Sequence, residues 1–129
     1  MLFRSLARLE GKRKDSMNLL AEHAEAIATA WSLGDASQVL ELFPDYIDAL
    51  RQLSVDHGLG IFDAGHEELA RLARDSGIVY KPCGAGGGDI GIVLAACEHQ
   101  VEEFCSQALD QNFRVLDISL EDEGLKFAE

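Results

Sequence analysis

Residues 80–95, "YKPCGAGGGDIGIVLA", decide how this chain is read. Five of the sixteen are glycine, and four of those fall between Gly84 and Gly88. Upstream, residues 78–81 are short, β-branched and aromatic, which predicts a strand, and Pro82 suits its end. Downstream, residues 90–95 are apolar and β-branched and predict a second strand. The loop between them is too rich in glycine for a two-residue hairpin turn. A run of residues without Cβ lets successive backbone N–H groups turn into one concavity, and such a concavity holds an anion. Lys81, three residues before Gly84, adds a positive charge in an otherwise acidic chain.

Two other readings stand beside the anion nest. Gly86, Gly88 and Gly91 match G-x-G-x-x-G, with Asp117 as the ribose-binding acid of a dinucleotide site. That motif needs a helix opening directly at the loop, and "IGIVLA" predicts a strand instead. A Walker loop is excluded, because no Gly-Lys-Ser/Thr follows the glycines. The remaining reading is a close-packed connection that binds nothing.

Helices precede this stretch. Leu20, Ala24, Ile27, Ala28 and Trp31 recur at helical spacing, predicting a helix from Asp15 to Gly34 with Trp31 in the core. A second helix is predicted over residues 36–57, capped by Asp35 and kinked or split at Pro44. A third follows Asp63 and stops at Gly77, with Leu69, Leu72 and Ala73 inward. After the glycines come a helix over 98–111, bearing Val101, Phe104, Cys105 and Leu109, and strands over 113–118 and 124–128. Separate helical and strand blocks define an α+β class with a mostly antiparallel sheet.

Composition sets the outer limits. The 129 residues suffice for one ordinary domain, 47% are hydrophobic and 26% charged, so the chain is globular. A net charge of −12 argues against nucleic acid as a partner. No apolar run approaches the roughly 18 residues of a membrane span. Cys83, Cys97 and Cys105 lack C-x-x-C spacing and read as reduced thiols of a cytoplasmic protein, with Cys97 and Cys105 buried. Cys83, beside the nest and Lys81, is the thiol expected to react with alkylating agents. His23, His57, His66 and His99 are not spaced as metal ligands and read as exposed or capping residues.

"KPCGAGGGDIGIVLA" resembles the third motif of the GHMP kinases, in the "K-x-S-G-A-G-G-G-D-C-G-I-A" form of their phosphomevalonate kinase branch. The Asp after the glycines points to that branch. The resemblance implies a GHMP kinase C-terminal domain over residues 6–129, with a ferredoxin-like antiparallel sheet and additional N-terminal helices. It implies that Lys81, Cys83, Gly84, Ala85, Gly86, Gly87, Gly88 and Asp89 face a phosphorylated small-molecule substrate. Cys83 stands where Ser is usual and Ile90 where Cys is usual. The family's nucleotide loop, Pro-x-x-x-Gly-Leu-Gly-Ser-Ser-Ala, and its catalytic Asp or Lys do not occur in this chain. ATP and Mg²⁺ would therefore belong to an N-terminal kinase domain acting as partner, with no catalytic residue in residues 6–129. "MLFRS", residues 1–5, resembles translated adapter sequence and is expected to be non-native. Gly86→Val is expected to abolish the kinase activity while leaving the fold largely intact. The alternatives are another GHMP kinase with a different acceptor, such as a mevalonate or homoserine kinase, and a stand-alone anion-binding module.

Overall fold

A computed structural model describes residues 2–84, 86–88 and 90–119, with side chains from Asp15 onward. The elements are α1 (Leu2–Ser32), α2 (Ala36–His57), α3 (His66–Asp75), β1 (Val79–Pro82), β2 (Gly91–Leu94) and α4 (Glu98–Asp110). The protein is a small α+β fold with four helices and a two-stranded antiparallel sheet among the described residues.

α1 and α2 form a long antiparallel hairpin. Its turn is tight: the Asp35 N–H donates to Ala30 O at 3.0 Å, and Gly34 has φ +71°. Asp35 caps α2 as expected, its carboxylate accepting from Gln38 N at 3.1 Å. At the far end Ser16 Oγ donates to Asp56 Oδ2 at 2.5 Å. The face of α1 turned to α2 is Ser16, Leu20, His23, Ile27 and Ala30, all buried or half-buried. That stripe is rotated from the expected one. Ala24 and Ala28 are exposed, and Trp31 is 66% exposed rather than core. Ala30, 1% exposed, takes the inward place beside the turn, where two helices meet too closely for an indole.

α1 begins at Leu2, well before Asp15. Leu2, Leu6 and Leu9 carry the helical spacing backwards, and one Gly at position 11 costs a helix only about 1 kcal/mol. Pro44 does not split α2, which runs unbroken from Ala36 to His57. Val39, Phe43 and Ile47 are buried on both sides of it, and this packing holds the helix across the lost backbone bond. Gly58 closes α2 in the left-handed conformation, and its N–H reaches Ser54 O and Val55 O. α3 starts at His66 and ends before Gly77 as expected, with Ala70 and Ala73 buried.

The core joins these helices to one strand. Ile27 and Ala30, Val39, Phe43 and Ile47, Phe62, Ala70 and Ala73, Ile78, Val79 and Tyr80, and Phe104 and Ala108 form one cluster. β1 pairs with β2 in the register Val79↔Leu94, Tyr80↔Val93, Lys81↔Ile92 and Pro82↔Gly91. Residues 113–118, expected as a strand, join no sheet, and Val115, Leu116 and Ile118 are exposed. A strand without a neighbour has no ladder to hold it. The strand expected over 124–128 lies outside the described residues. In α4, Phe104 is buried but Leu109 is exposed, and Ala108 takes the inward place. Cys97 is exposed and Cys105 half-buried, so the buried-thiol expectation fails for both.

Asp35→Ala is expected to destabilise the chain by about 1 kcal/mol, while Asp35→Asn, which keeps the capping oxygen, is near neutral. Urea unfolding of the two variants checks this.

Candidate functional site

The glycine loop joins β1 to β2. Its neck is closed by the Cys83 N–H donating to Ile90 O at 2.9 Å. Inside the neck, Gly84, Gly86, Gly87 and Gly88 all have positive φ, at 62°, 71°, 74° and 137°. Side-chain-bearing residues rarely adopt this region, so the glycines are required by backbone shape.

The loop rests on the turn between α2 and α3. The Gly87 N–H donates to Ile61 O at 3.0 Å, and the Gly86 N–H donates back to Cys83 O at 3.3 Å. A Cβ on Gly86 would lie 2.5 Å from Ile61 O and 2.9 Å from Ile61 Cα. The supporting turn is itself anchored: the Ile61 N–H donates to the Oγ of buried Ser54 at 3.0 Å. One chain of hydrogen bonds therefore runs from the end of α2 through Ile61 to the loop. Gly86→Val cannot leave the local structure intact, since the valine would enter Ile61 backbone. This corrects the expectation that the fold tolerates that change.

Two amides of the nest are thus already donated to carbonyls. Gly84, Gly87 and Gly88 form its exposed rim, while Gly86 and Cys83 are half-buried. Ala85 and Asp89 lie outside the described residues. Lys81 sits on the strand beside the loop, but its Nζ donates to Pro82 O at 2.9 Å and lies 6.0 Å from the Tyr46 ring centroid. One of its three donors is thereby engaged. Cys83 Sγ is 4.0 Å from Lys81 O. The loop leads into β2, not a helix, so the dinucleotide motif lacks the helix N-terminus it depends on. Asp117, its proposed ribose acid, is exposed after α4.

Beneath the loop lies a feature the sequence reading missed. His66 is 3% exposed, not at the surface, and its Nδ1 is 2.7 Å from the Tyr80 hydroxyl. Tyr80 stacks on Phe104 with ring centroids 6.2 Å apart. A side chain on Gly91 would collide with the Tyr80 hydroxyl. Gly91 therefore serves the buried pair and not an anion. The available sequence signal was the partnership of an aromatic strand residue with a glycine on the neighbouring strand.

Burial, with Cys83 adding to it, pushes the Tyr80 phenol from 10.0 up to about 12. Burial also raises the Tyr46 phenol. Among the described residues no three His, Cys, Asp or Glu side chains converge as a metal site. Among the described residues no group of side chains thus fits Mg²⁺, and the sequence holds no nucleotide loop for ATP.

No protein-family model, no curated protein and no solved structure matches this chain.

Two outcomes follow. Gly86→Ala is expected to cost about 1–3 kcal/mol, from positive φ and the approach to Ile61, and Gly34→Ala less, since only φ opposes it. Thermal unfolding compares them. Tyr80 stabilises the fold in its neutral form. That stability is complete below pH 10, the unfolded value, and is lost as pH rises through about 12. Tyr80→Phe costs about 1–2 kcal/mol at neutral pH and flattens this alkaline fall. Urea titrations of both proteins between pH 8 and pH 12 show it.

Proposed function

We propose that this chain is the acceptor-binding part of a GHMP-type small-molecule kinase, and specifically of a phosphomevalonate kinase. The observation that supports this reading is the shape of the loop. Four glycines in left-handed backbone conformations are held at a closed neck and a fixed floor, leaving Gly84, Gly87 and Gly88 on an exposed rim. Backbone N–H groups presented without side chains accept a phosphate from any approach, and their dipoles cost no reorganisation when it arrives. Gly84 and Gly88 are the rim residues whose amides serve the anion, because Gly87 already serves Ile61.

In this reading the acceptor's phosphate lies on the rim, and Lys81 neutralises it. Nucleotide, metal and catalytic groups belong to a separate kinase domain, and this chain contributes positioning alone. The working environment is the cytoplasm. Another GHMP kinase with a different acceptor uses the same rim, as does a stand-alone anion-binding module.

Phosphomevalonate added to isotope-labelled protein is expected to shift the amide resonances of Gly84 and Gly88, with mevalonate shifting neither. Equal shifts with inorganic phosphate would favour the stand-alone module. Unmoved loop amides would remove the acceptor reading.

A further inference from the structure

We propose that two copies of this chain associate reciprocally, residues 113–118 of each adding as a strand to the outer edge of β2 in the other. This inference does not depend on the kinase reading.

The acceptor surface follows from the ladder. The Cys83 N–H to Ile90 O bond sets the phase of pairing. In an antiparallel pair, hydrogen-bonded positions recur every second residue, so Ile90, Ile92 and Leu94 turn their backbone groups toward β1. Gly91, Val93 and Ala95 turn theirs outward. Pro82, opposite Gly91, fits this phase, because its missing N–H faces away from β2. Among the described residues no third strand pairs with the outer edge. An open edge of this kind is a template for another strand.

The edge is continuous with an apolar groove. A cavity of about 320 Å³ is lined by Trp31, Val39, Leu40, Leu94 and Ala95 together with the α1–α2 turn. Leu94 and Ala95 belong to both surfaces. The exposed indole of Trp31 thus stands beside unpaired backbone. An incoming strand would satisfy the edge and place alternate side chains against the groove.

The chain carries a segment of matching chemistry. Residues 113–118, FRVLDI, are rich in strand-forming residues yet join no sheet, and Leu116 and Ile118 fall on one side of a strand. Both are exposed, at 54% and 72%. Arg114 and Asp117 cancel within the segment, so the acidic body does not repel it. The segment does not serve its own β2. Its first residue, Phe113, is held over Gly65 at the start of α3, where a Cβ on that glycine would lie 2.5 Å from the ring. Among the described residues β2 pairs with β1 and with no other strand. One donor segment and one acceptor edge per copy permit a reciprocal exchange, and it is the reciprocal form that closes under two-fold symmetry.

Sedimentation velocity on the full 129-residue chain, from about 1 to 100 µM, tests this. A dimer is expected, growing with concentration and strengthened by salt, since two chains of net charge −12 repel. Emission of Trp31, the one tryptophan, is expected to shift to the blue as dimer forms. Val93→Pro removes an outward N–H and leaves the β1 ladder bonded. Leu116→Asp with Ile118→Asp alters exposed side chains only. Each is expected to weaken association roughly ten-fold or more. Should Val93→Pro not fold, the double variant decides. A chain that stays monomeric throughout overturns the proposal, whatever else covers the groove. So does a dimer that either folded variant leaves unchanged.

Discussion

The contact on which the rest of the site depends is the seating of Gly86 and Gly87 against Ile61. It consists of one N–H···O bond at 3.0 Å and a backbone approach that leaves no room for a Cβ. Through it the glycine loop inherits the rigidity of α2, because Ile61 is tied to Ser54 on that helix. Without the contact, a loop of this composition has a large conformational entropy, because glycine has more backbone freedom to lose than any other residue. With it, the loop's rim occupies one position relative to the helical core. The glycines therefore divide their labour: some allow the loop to sit down, and others form the surface presented to a ligand.

A second constraint works from inside. Tyr80 points into the helical side of the sheet, against His66 and Phe104, whereas Lys81 points to the α2 side, near Tyr46. This is the ordinary alternation of a strand. Its consequence is that β1 is pinned by a buried polar pair three residues before the loop begins at Cys83. Loop, turn and buried pair form one connected unit, in which Gly91 leaves room for the Tyr80 hydroxyl and Gly86 leaves room for Ile61.

Much of this was legible in residue order. Asp35 as a cap, Gly77 as a helix stop, and the two strands flanking the glycines are local signals, each made within a few residues. The α+β class followed from the grouping of those elements. The readings that failed depend on partners distant in sequence. Trp31 fits the helical period nearly as well as Ala30, and only the closeness of α2 excludes the indole. His66 looked like a helix-end residue until Tyr80, fourteen positions later, proved to be its partner. Residues 113–118 have strand composition, but composition cannot supply a neighbouring strand.

By itself, then, the sequence determined where the helices end, which residues flank the loop, and that a glycine-rich loop had to adopt backbone shapes closed to other residues. These follow from steric and hydrogen-bonding rules that act over one or two turns of chain. Tertiary structure alone decided which glycines face solvent and which face Ile61, which side of α1 is inward, and that no third described strand pairs with the edge of β2. Each is a question of which surfaces meet across long separations in sequence, and packing settles it by volume and by the pairing of buried polar groups such as His66 with Tyr80.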